Sequence, residues 1–268
     1  MKRIALVVGV LLMIIAAIAL VLSCILLLQS YEDYQKGTNT YEEMSHSYIQ
    51  QPDKEKEEWK DSRETQQSKG SKETVQGNLQ IDFEGLQEVN PEIIGWIEIP
   101  GLALSYPLLQ GKDNAYYLTH LADRQSGVSG SIFVDYHNQP DFSDRNTIIY
   151  GHNMKDGSMF AKLDQYDLPE LYQKEPYFYI YIPGKVLKYQ IFSCYAGSVG
   201  SEAYTYEFPK IEEFQAFLQT IQSYAAYDTG TEIEGTERVA TLSTCVNTNR
   251  NYRYLIHGVL REVIDMPE

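Results

Sequence analysis

The feature that most constrains this chain is a run of 25 uncharged residues, Ile4 to Leu28, directly after Met1-Lys2-Arg3. As a helix the run would be about 37 Å long, enough to cross a bilayer. A cleaved signal peptide is the alternative, but its apolar core usually has about 7–15 residues and ends in small residues. Here the run is longer, and its end at Ser23-Cys24-Ile25 to Leu28 is bulky. The sequence therefore predicts an uncleaved membrane anchor.

Charge predicts the orientation of the anchor and excludes one class of partner. Lys2 and Arg3 precede the apolar run, and basic residues flank membrane helices on the cytoplasmic side. We therefore expect a single-pass protein of the cell membrane with a cytoplasmic N-terminus. The chain beyond residue 28 carries 20 basic and 37 acidic residues, a net charge of −17. Nucleic-acid-binding domains are basic, so no nucleic-acid partner is expected, and no anionic lipid contact beyond the anchor.

Composition divides the chain after residues 1–28 into two parts. Residues 29–75 are rich in Glu, Lys, Gln and Ser with few aliphatic residues, which predicts a solvated, partly helical stalk or linker. Residues 76–268 alternate short apolar runs with turn residues, which predicts about eight strands and several helices. This extracellular domain would be mainly β, and closed or nearly closed to hide its sheet edges.

Apolar spacing predicts three helices within this domain. The first covers Phe83 to Val89 and ends at Asn90-Pro91, because a residue before proline disfavours the helical conformation. Asn114 to Leu121, with its paired tyrosines, is the second candidate. The third contains apolar residues at helical spacing from Ile211 to Tyr224, after Pro209, which suits a helix start.

The strongest chemical signal is a Cys and an Arg at the facing ends of two strands. Val239–Ser243 predicts one strand, Val246–Asn251 a polar loop, and Tyr252–Leu260 a second strand. Cys245 and Arg253 would then face each other across the mouth of a hairpin. A thiol needs a nearby cation or imidazole to ionise, and a fixed guanidinium suits the oxyanion formed when a thiolate attacks a carbonyl. The pair predicts nucleophilic catalysis.

Two histidines compete to serve the thiol. His152 directly follows the predicted strand Thr147 to Tyr150, and it would lie beside Cys245 if that strand is parallel to the Cys-bearing strand. His257 shares a strand face with Arg253 but is four residues away, about 13 Å at about 3.3 Å per residue. His152 is therefore the preferred acid and base.

The other polar candidates are given structural interpretations. Arg250 lies in the middle of the predicted loop, whereas an oxyanion needs a preorganised donor such as Arg253. Cys194 lies in a strand-like run and is expected to be a buried core residue rather than a disulfide partner. His137 is expected in an exposed turn. Four acidic residues are expected on the solvated surface: Asp123, Asp135, Asp141 and Asp144. No metal motif or phosphate loop is found, so neither a metal nor a cofactor is predicted.

Three motifs in this order resemble the sortase family. They are Thr241-Leu242-Ser243-Thr244-Cys245, which fits the pattern T-L-x-T-C, Arg253 leading R-Y-L-I-H-G, and His152 in Y-G-H-N. The resemblance covers roughly residues 80–262 and implies an eight-stranded sortase-type β-barrel. The helical lead-in, a long helix between the sixth and seventh strands, and the residues around His152 are similar to class B. Class C members usually have an Asp-Pro-aromatic lid and a second span, and this sequence shows neither.

The resemblance implies a membrane-anchored cysteine transpeptidase of a Gram-positive-type bacterium. Cys245 would cleave an N-P-x-T-x-like sorting motif near the C-terminus of secreted proteins, and a peptidoglycan amine would resolve the thioester. By the same analogy, Ser243, Thr244 and Tyr150 are expected to line the substrate groove. Class B members often carry an acidic residue two positions after the Cys, where this chain has Asn247.

Two alternatives to this function remain open at the level of the sequence. A cysteine endopeptidase would use the same residues with water in place of the amine. A non-enzymatic surface binding module on a stalk would keep Cys245 as a structural, buried thiol. The identity of the acceptor, water or an amine, distinguishes an endopeptidase from a transpeptidase. The reactivity of the Cys245 thiol distinguishes an enzyme from a binding module.

Overall fold

Eight strands close into one barrel in this computed structural model, which describes residues 2–50, 78–246 and 249–266. The neighbours around the barrel run β8-β6-β5-β1-β2-β3-β4-β7, and β7 pairs again with β8. Closure leaves no unpaired barrel edge, so the predicted mainly β barrel is confirmed. The strands are β1 (Ile93–Ile99), β2 (Leu104–Leu109), β3 (Ile132–Val134), β4 (Asn146–Tyr150), β5 (Tyr177–Ile182), β6 (Lys185–Ser198), β7 (Val239–Val246) and β8 (Asn249–Asp265).

Large apolar and aromatic side chains fill the barrel. Trp96, Phe178 and Ile149 are fully buried, on β1, β5 and β4. Each such side chain stabilises the fold by about 1.5–3 kcal/mol relative to an exposed position. Because β-branched and aromatic residues dominate these strands, the barrel is the product of local preference and burial together.

Among the described residues, four α-helices surround the barrel or precede it: α1 (Lys2–Tyr48), α2 (Phe83–Val89), α3 (Pro169–Lys174) and α4 (Ile211–Ser223). Asp82 is the N-cap of α2, and its carboxylate accepts a hydrogen bond from the Gly85 amide (2.9 Å). The α4 helix lies between β6 and β7 in the chain and buries one apolar face that includes Phe214 and Ile221. The first and third predicted helices are therefore confirmed.

The second predicted helix does not form. Over residues 114–121 the structure has only a 3-10 turn, Tyr116–Leu118. The Tyr117 carbonyl, which an α-helix would offer to an amide four residues on, accepts the Ser131 amide instead (2.9 Å). A hydrogen bond from a distant segment thus overrides the local helical preference. The turn also leaves the next carbonyl, that of Leu118, available to another donor.

The α1 helix departs from the expected solvated stalk. Its apolar side chains from Leu11 to Leu28 are exposed, and by length and composition it could span a membrane. The helix then continues without a break, and its last turns pack against the barrel. The contact stripe has the helical spacing of three and four residues that the sequence analysis passed over: Tyr34, Gly37, Tyr41, Met44 and Tyr48.

Part of the predicted stalk is therefore wrong. Tyr41 and Met44 are buried, because the stripe of mainly aromatic residues gives this stretch an apolar face despite its polar composition. The rest of the predicted stalk, residues 51–75, lies outside the described residues. The division of the chain into anchor, stalk and extracellular domain stays a prediction.

His257, on β8, is buried in the barrel wall with a relative exposure of 0%. The Thr241 hydroxyl donates to Asn146 Oδ1 (2.7 Å), so it accepts from His257 Nδ1 (2.9 Å). His257 Nε2 has no hydrogen-bond partner among the described residues, and the ring stacks on Tyr195 at 5.5 Å. Burial lowers the pKa of His257 to about 3, so the ring is neutral in the folded protein.

We expect acid to destabilise the protein through His257. An unfolded histidine has a pKa of about 6.5, so between this value and about 3 only the unfolded state binds the proton. The free energy of unfolding should therefore fall with decreasing pH below about 6.5, by about 1.4 kcal/mol per pH unit from this group. Urea unfolding between pH 7 and 4 measures the slope. His257→Gln should remove that part of the slope, whereas exposed His46→Gln should keep it, and equal slopes in wild type and His257→Gln would contradict the prediction.

Candidate active site

Strand β7 brings Cys245 between the two strands that carry its proposed partners. On one side, β4 runs parallel to β7, and its last residue, Tyr150, pairs with Ser243. The Gly151 amide continues this pairing by donating to the Ser243 carbonyl (3.1 Å). His152, two residues beyond Tyr150, thus leaves its strand at the level of Cys245. The parallel arrangement assumed in the sequence analysis is present.

On the other side, β8 runs antiparallel to β7 and pairs Arg253 directly with Cys245. Directly opposed residues of an antiparallel pair project to the same face, so the guanidinium and the thiol share one side of the hairpin. Arg253 Nη1 donates to the Tyr252 carbonyl (3.0 Å), which restrains the guanidinium end of the side chain. The facing of thiol and guanidinium predicted from the sequence therefore matches the register.

The turn after β4 is fastened to the Cys-bearing strand by a side chain. Asn153 Nδ2 donates to the Cys245 carbonyl at 2.7 Å. Asn153 also forms an isolated bridge with Met159, and the Phe160 amide donates to the His152 carbonyl (2.9 Å). His152 is therefore held on a short, hydrogen-bonded turn rather than on a free loop.

One groove with a volume of about 440 Å³ contains every residue proposed for the site. Ser243 and Cys245 alternate with Thr244, whose side chain is buried and whose Oγ1 has no partner among the described residues. Ser243 therefore lies on the same strand face as Cys245, and Thr244 lies on the opposite face. The roles of the six proposed residues stay predictions, but the structure places all six in this one groove. The six are His152, Cys245, Arg253, Ser243, Thr244 and Tyr150.

The orientation of His152 is set by a backbone carbonyl. His152 Nε2 lies 2.7 Å from the Leu118 carbonyl oxygen. A carbonyl can only accept, so Nε2 carries the proton in this contact and Nδ1 is left to exchange protons. No acidic partner for the histidine was found from the sequence. A carbonyl can fill that position without leaving any trace in the residue pattern, because every residue has one.

Asp135 is the polar group that the sequence analysis placed wrongly. It was expected on the solvated surface, but it is only 5% exposed and lies in the groove wall. Its Oδ1 accepts from the His137 amide (3.0 Å) and His137 Nδ1 (2.8 Å), and its Oδ2 accepts from Asn114 Nδ2 and the Tyr150 hydroxyl (both 2.8 Å). Burial opposes ionisation, but these hydrogen bonds hold the pKa of Asp135 below its ordinary value.

His137 lies in an exposed turn, as expected, and it also forms part of the groove wall. Its ring stacks on Tyr206 with centroids 4.6 Å apart, while Nδ1 is bonded to Asp135. The Tyr204 hydroxyl bonds to Ser243 Oγ (2.9 Å), and burial raises the pKa of Tyr204. Tyr206 and Tyr204 follow β6, about forty residues before Cys245. The closely spaced tyrosines at these positions are a sequence signal that could have indicated this wall.

The competing candidates lie away from the groove or outside the described residues. His257 is buried beside Tyr195 and Thr241. Cys194 is buried with its sulfur 3.3 Å from the Tyr166 carbonyl, burial raises the pKa of this thiol, and both Cys194 and Cys245 are free. The side chain of Arg250 and the whole of Asn247 fall outside the described residues. Within the described part, no group of three or more His, Cys, Asp or Glu side chains could hold a metal ion.

Comparison with known proteins gives matches of sequence and of structure. The model of the Sortase domain family matches residues 97–261. Sortase B of Listeria monocytogenes is 38% identical over 189 residues, covering 69% of this chain and 76% of that protein. Sortase B of Staphylococcus aureus is 34% identical over 172 residues, covering 63% and 70%.

Solved structures agree with the sequence matches. The X-ray structure of Clostridium perfringens sortase B has a TM-score of 0.64 and 30% identity, covering 68% of this chain and 100% of that one. A crystal structure of Bacillus anthracis sortase B has a TM-score of 0.69 and 30% identity, covering 87% and 99%.

Proposed function

Because this chain belongs to the sortase family of cysteine transpeptidases and is similar to its class B members, we propose that Cys245, Arg253 and His152 carry out its reaction. Family membership supports an enzyme that anchors or processes surface proteins, and it argues against a non-enzymatic binding module. The single observation that carries the residue assignment is the convergence of these three side chains on one groove.

The first half of the proposed reaction forms a thioester. The Cys245 thiolate attacks the backbone carbonyl of a sorting motif, and the carbonyl oxygen becomes an oxyanion. Arg253, paired with Cys245 across the hairpin, supplies a permanent positive charge and several N–H donors to that oxygen. His152 gives a proton to the leaving amine through Nδ1, while Nε2 stays bonded to Leu118. The C–N bond breaks, and the acyl group remains on sulfur.

The second half transfers the acyl group to an amine. His152, now neutral, takes a proton from the incoming amine as it attacks the thioester carbonyl, and Arg253 again stabilises the oxyanion. Collapse of the intermediate releases the Cys245 thiolate. The net result is exchange of one amide bond for another, so no cofactor is required.

The substrates follow from the class to which the chain is similar. We propose an N-P-x-T-x-like motif near the C-terminus of secreted proteins as the acyl donor, and a peptidoglycan amine as the acceptor. The groove supports recognition of a polar peptide, because its wall combines the Ser243 hydroxyl, the Tyr150 ring and the ionised Asp135 network. The same residues serve a hydrolase if water replaces the amine, so the acceptor is identified by product analysis.

We also propose that α1 anchors the enzyme in the cell membrane with its N-terminus in the cytoplasm. The apolar length and the preceding Lys2 and Arg3 support this topology. Protease added to intact protoplasts should then remove the extracellular domain. Full protection of the domain, or a mature chain that starts after residue 28, would show that the proposed topology is wrong.

The nucleophile is tested by removing each of the two free thiols of the domain. Cys245→Ala should abolish acyl-enzyme formation and leave the fold intact, whereas Cys194→Ala should retain turnover because its buried sulfur is outside the groove. The measurement is mass spectrometry of the enzyme and products after incubation with candidate motif peptides, with and without an amine. An active Cys245 variant together with an inactive Cys194 variant would reverse the assignment. Release of acid alone at every amine concentration would identify an endopeptidase.

Arg253 is tested by a substitution that keeps its charge. Arg253→Lys replaces the rigid fork by a point charge, so we expect kcat to fall by about 10²–10³ with KM little changed. Arg250→Lys is the matched control from the same hairpin and should remain near wild type. Steady-state kinetics on a motif peptide provides both constants. Comparable losses at the two positions would mean that Arg253 has no special part in the reaction.

The two histidines are separated by turnover and by thiol reactivity. His152→Ala should lose nearly all turnover and raise the pH needed for Cys245 alkylation, because a cationic imidazole nearby favours the thiolate. His257→Ala should mainly lower stability, since its ring is buried away from the groove. The alkylation rate is measured against pH for each variant. A shifted profile in His257→Ala with an unchanged one in His152→Ala would identify His257 as the base.

A further inference from the structure

The last turns of α1 reach the two segments that hold His152. One segment, residues 116–131, supplies the Leu118 carbonyl that accepts from His152 Nε2. The other, residues 151–160, carries His152 itself. Tyr41, in the buried stripe of α1, contacts the first segment directly and the second through Tyr106. No step of the proposed reaction uses this contact.

On the first side, Tyr41 bonds to the backbone that supports the Leu118 carbonyl. Its hydroxyl donates to the Gly130 carbonyl at 2.5 Å and lies 3.0 Å from Ser131 Oγ. Gly130 has a φ of +53°, and a Cβ added to it would stand 2.8 Å from the Leu118 oxygen. Gly130 is thus packed against the same carbonyl that receives His152. A displacement of Gly130 would move or crowd that acceptor.

On the second side, Tyr41 packs on the tyrosine that holds the His152 turn. The rings of Tyr41 and Tyr106 meet edge to face with centroids 5.4 Å apart. The Tyr106 hydroxyl accepts from the Met159 amide at 3.2 Å, and Met159 bridges to Asn153, the neighbour of His152. Tyr41 therefore supports both the turn that carries His152 and the Leu118 carbonyl that orients the His152 imidazole.

Close approach of α1 to the first segment depends on Gly37. A Cβ at this position would clash with Ser129 Oγ and would lie 3.8 Å from a methyl group of Leu121. Lys36 adds a hydrogen bond from Nζ to the Ser126 carbonyl (3.0 Å). The helix is thus seated against residues 121–131 by shape as well as by hydrogen bonds.

We propose that Tyr41 is a positioning residue for His152, so that the helix continuing from the membrane anchor completes the acid–base part of the site. The inference rests on the proposed role of His152. When α1 is seated, the Leu118 carbonyl holds Nε2 and directs Nδ1 to the reacting groups. When the seat is disturbed, the barrel remains folded but the imidazole loses its fixed orientation. The contact of α1 with the barrel thus couples proton transfer by His152 to the docking of a helix that touches neither substrate.

The test uses the full chain in detergent micelles or proteoliposomes with a motif peptide and an amine. Tyr41→Phe removes only the hydroxyl and keeps the ring against Tyr106. Loss of such a hydrogen bond should lower kcat about fivefold to tenfold, with KM within about twofold, and should raise the pH needed for Cys245 alkylation. Tyr34→Phe is the matched control, because Tyr34 lies on the same stripe and its hydroxyl has no partner among the described residues.

A second variant disturbs the seat by shape. Gly37→Leu keeps α1 helical but places a side chain where Ser129 lies, so it should reproduce the lower kcat and the shifted alkylation profile. A structural defect that reduces the folded fraction would scale the rate without moving the pH profile. Thermal unfolding of each variant measures the folded fraction independently.

The outcomes separate this inference from the proposed function. If His152→Ala is inactive while Tyr41→Phe and Gly37→Leu keep wild-type kcat and pH profile, the proposed function stands and the coupling through α1 is wrong. If His152→Ala keeps turnover, both the role of His152 and the positioning by Tyr41 are wrong. Lower kcat with a shifted profile in both α1 variants, and neither change in Tyr34→Phe, supports the proposal.

Discussion

The parallel pairing of β4 with β7 is the constraint from which the rest of the site follows. It places the residue after the β4 turn level with Cys245, while the antiparallel pairing of β7 with β8 sets Arg253 on the other side. A shift of one residue in either register would send the side chains of one strand to the opposite face. The closed barrel opposes such a shift, because every strand is paired on both edges. The same strand pairings therefore stabilise the barrel and fix the geometry of the site.

The groove combines a fixed cation with a fixed anion, and the fold keeps them on different walls. Arg253 belongs to β8, whereas Asp135 follows β3 and is bonded to His137, Asn114 and Tyr150. Because Asp135 is already bonded through both oxygens, it organises its own wall rather than neutralising Arg253. The cation and the anion therefore belong to different hydrogen-bonded parts of the groove. Neutral, buried tyrosine hydroxyls add polarity without adding charge.

The sequence predicted the parts of the fold that depend on local pattern. The strand around Cys245, the helix from Ile211 and the closed mainly β barrel could be predicted because alternation and helical spacing report burial directly. The full length of β8 could not be predicted, and neither could the absence of a helix at residues 114–121. Both depend on hydrogen bonds to segments that are distant in the sequence. The stripe on α1 was present in the sequence at a spacing of three and four residues, but the polar composition around it concealed it.

The candidate site divides in the same way. His152, Cys245 and Arg253 could be named because their side chains carry chemistry and follow recognisable strands. The Leu118 carbonyl that orients His152 has no side-chain signature, and Asp135 resembles any acidic turn residue until its four donors are in place. A positioning group that acts through the backbone is found only when the fold brings it to its partner.

The unbroken α1 helix has a consequence for where the enzyme can work. Five residues lie between the last apolar residue, Leu28, and Tyr34, where contact with the barrel begins, so the two are about 9 Å apart along the helix. Once the apolar segment is in a bilayer, the groove is carried at a fixed height close to the lipid headgroups, with no slack to search the space above. Both reactants then have to come to the membrane surface. Under the proposed topology, an acceptor amine held close to the lipid surface satisfies this geometry, whereas an amine farther from the membrane does not.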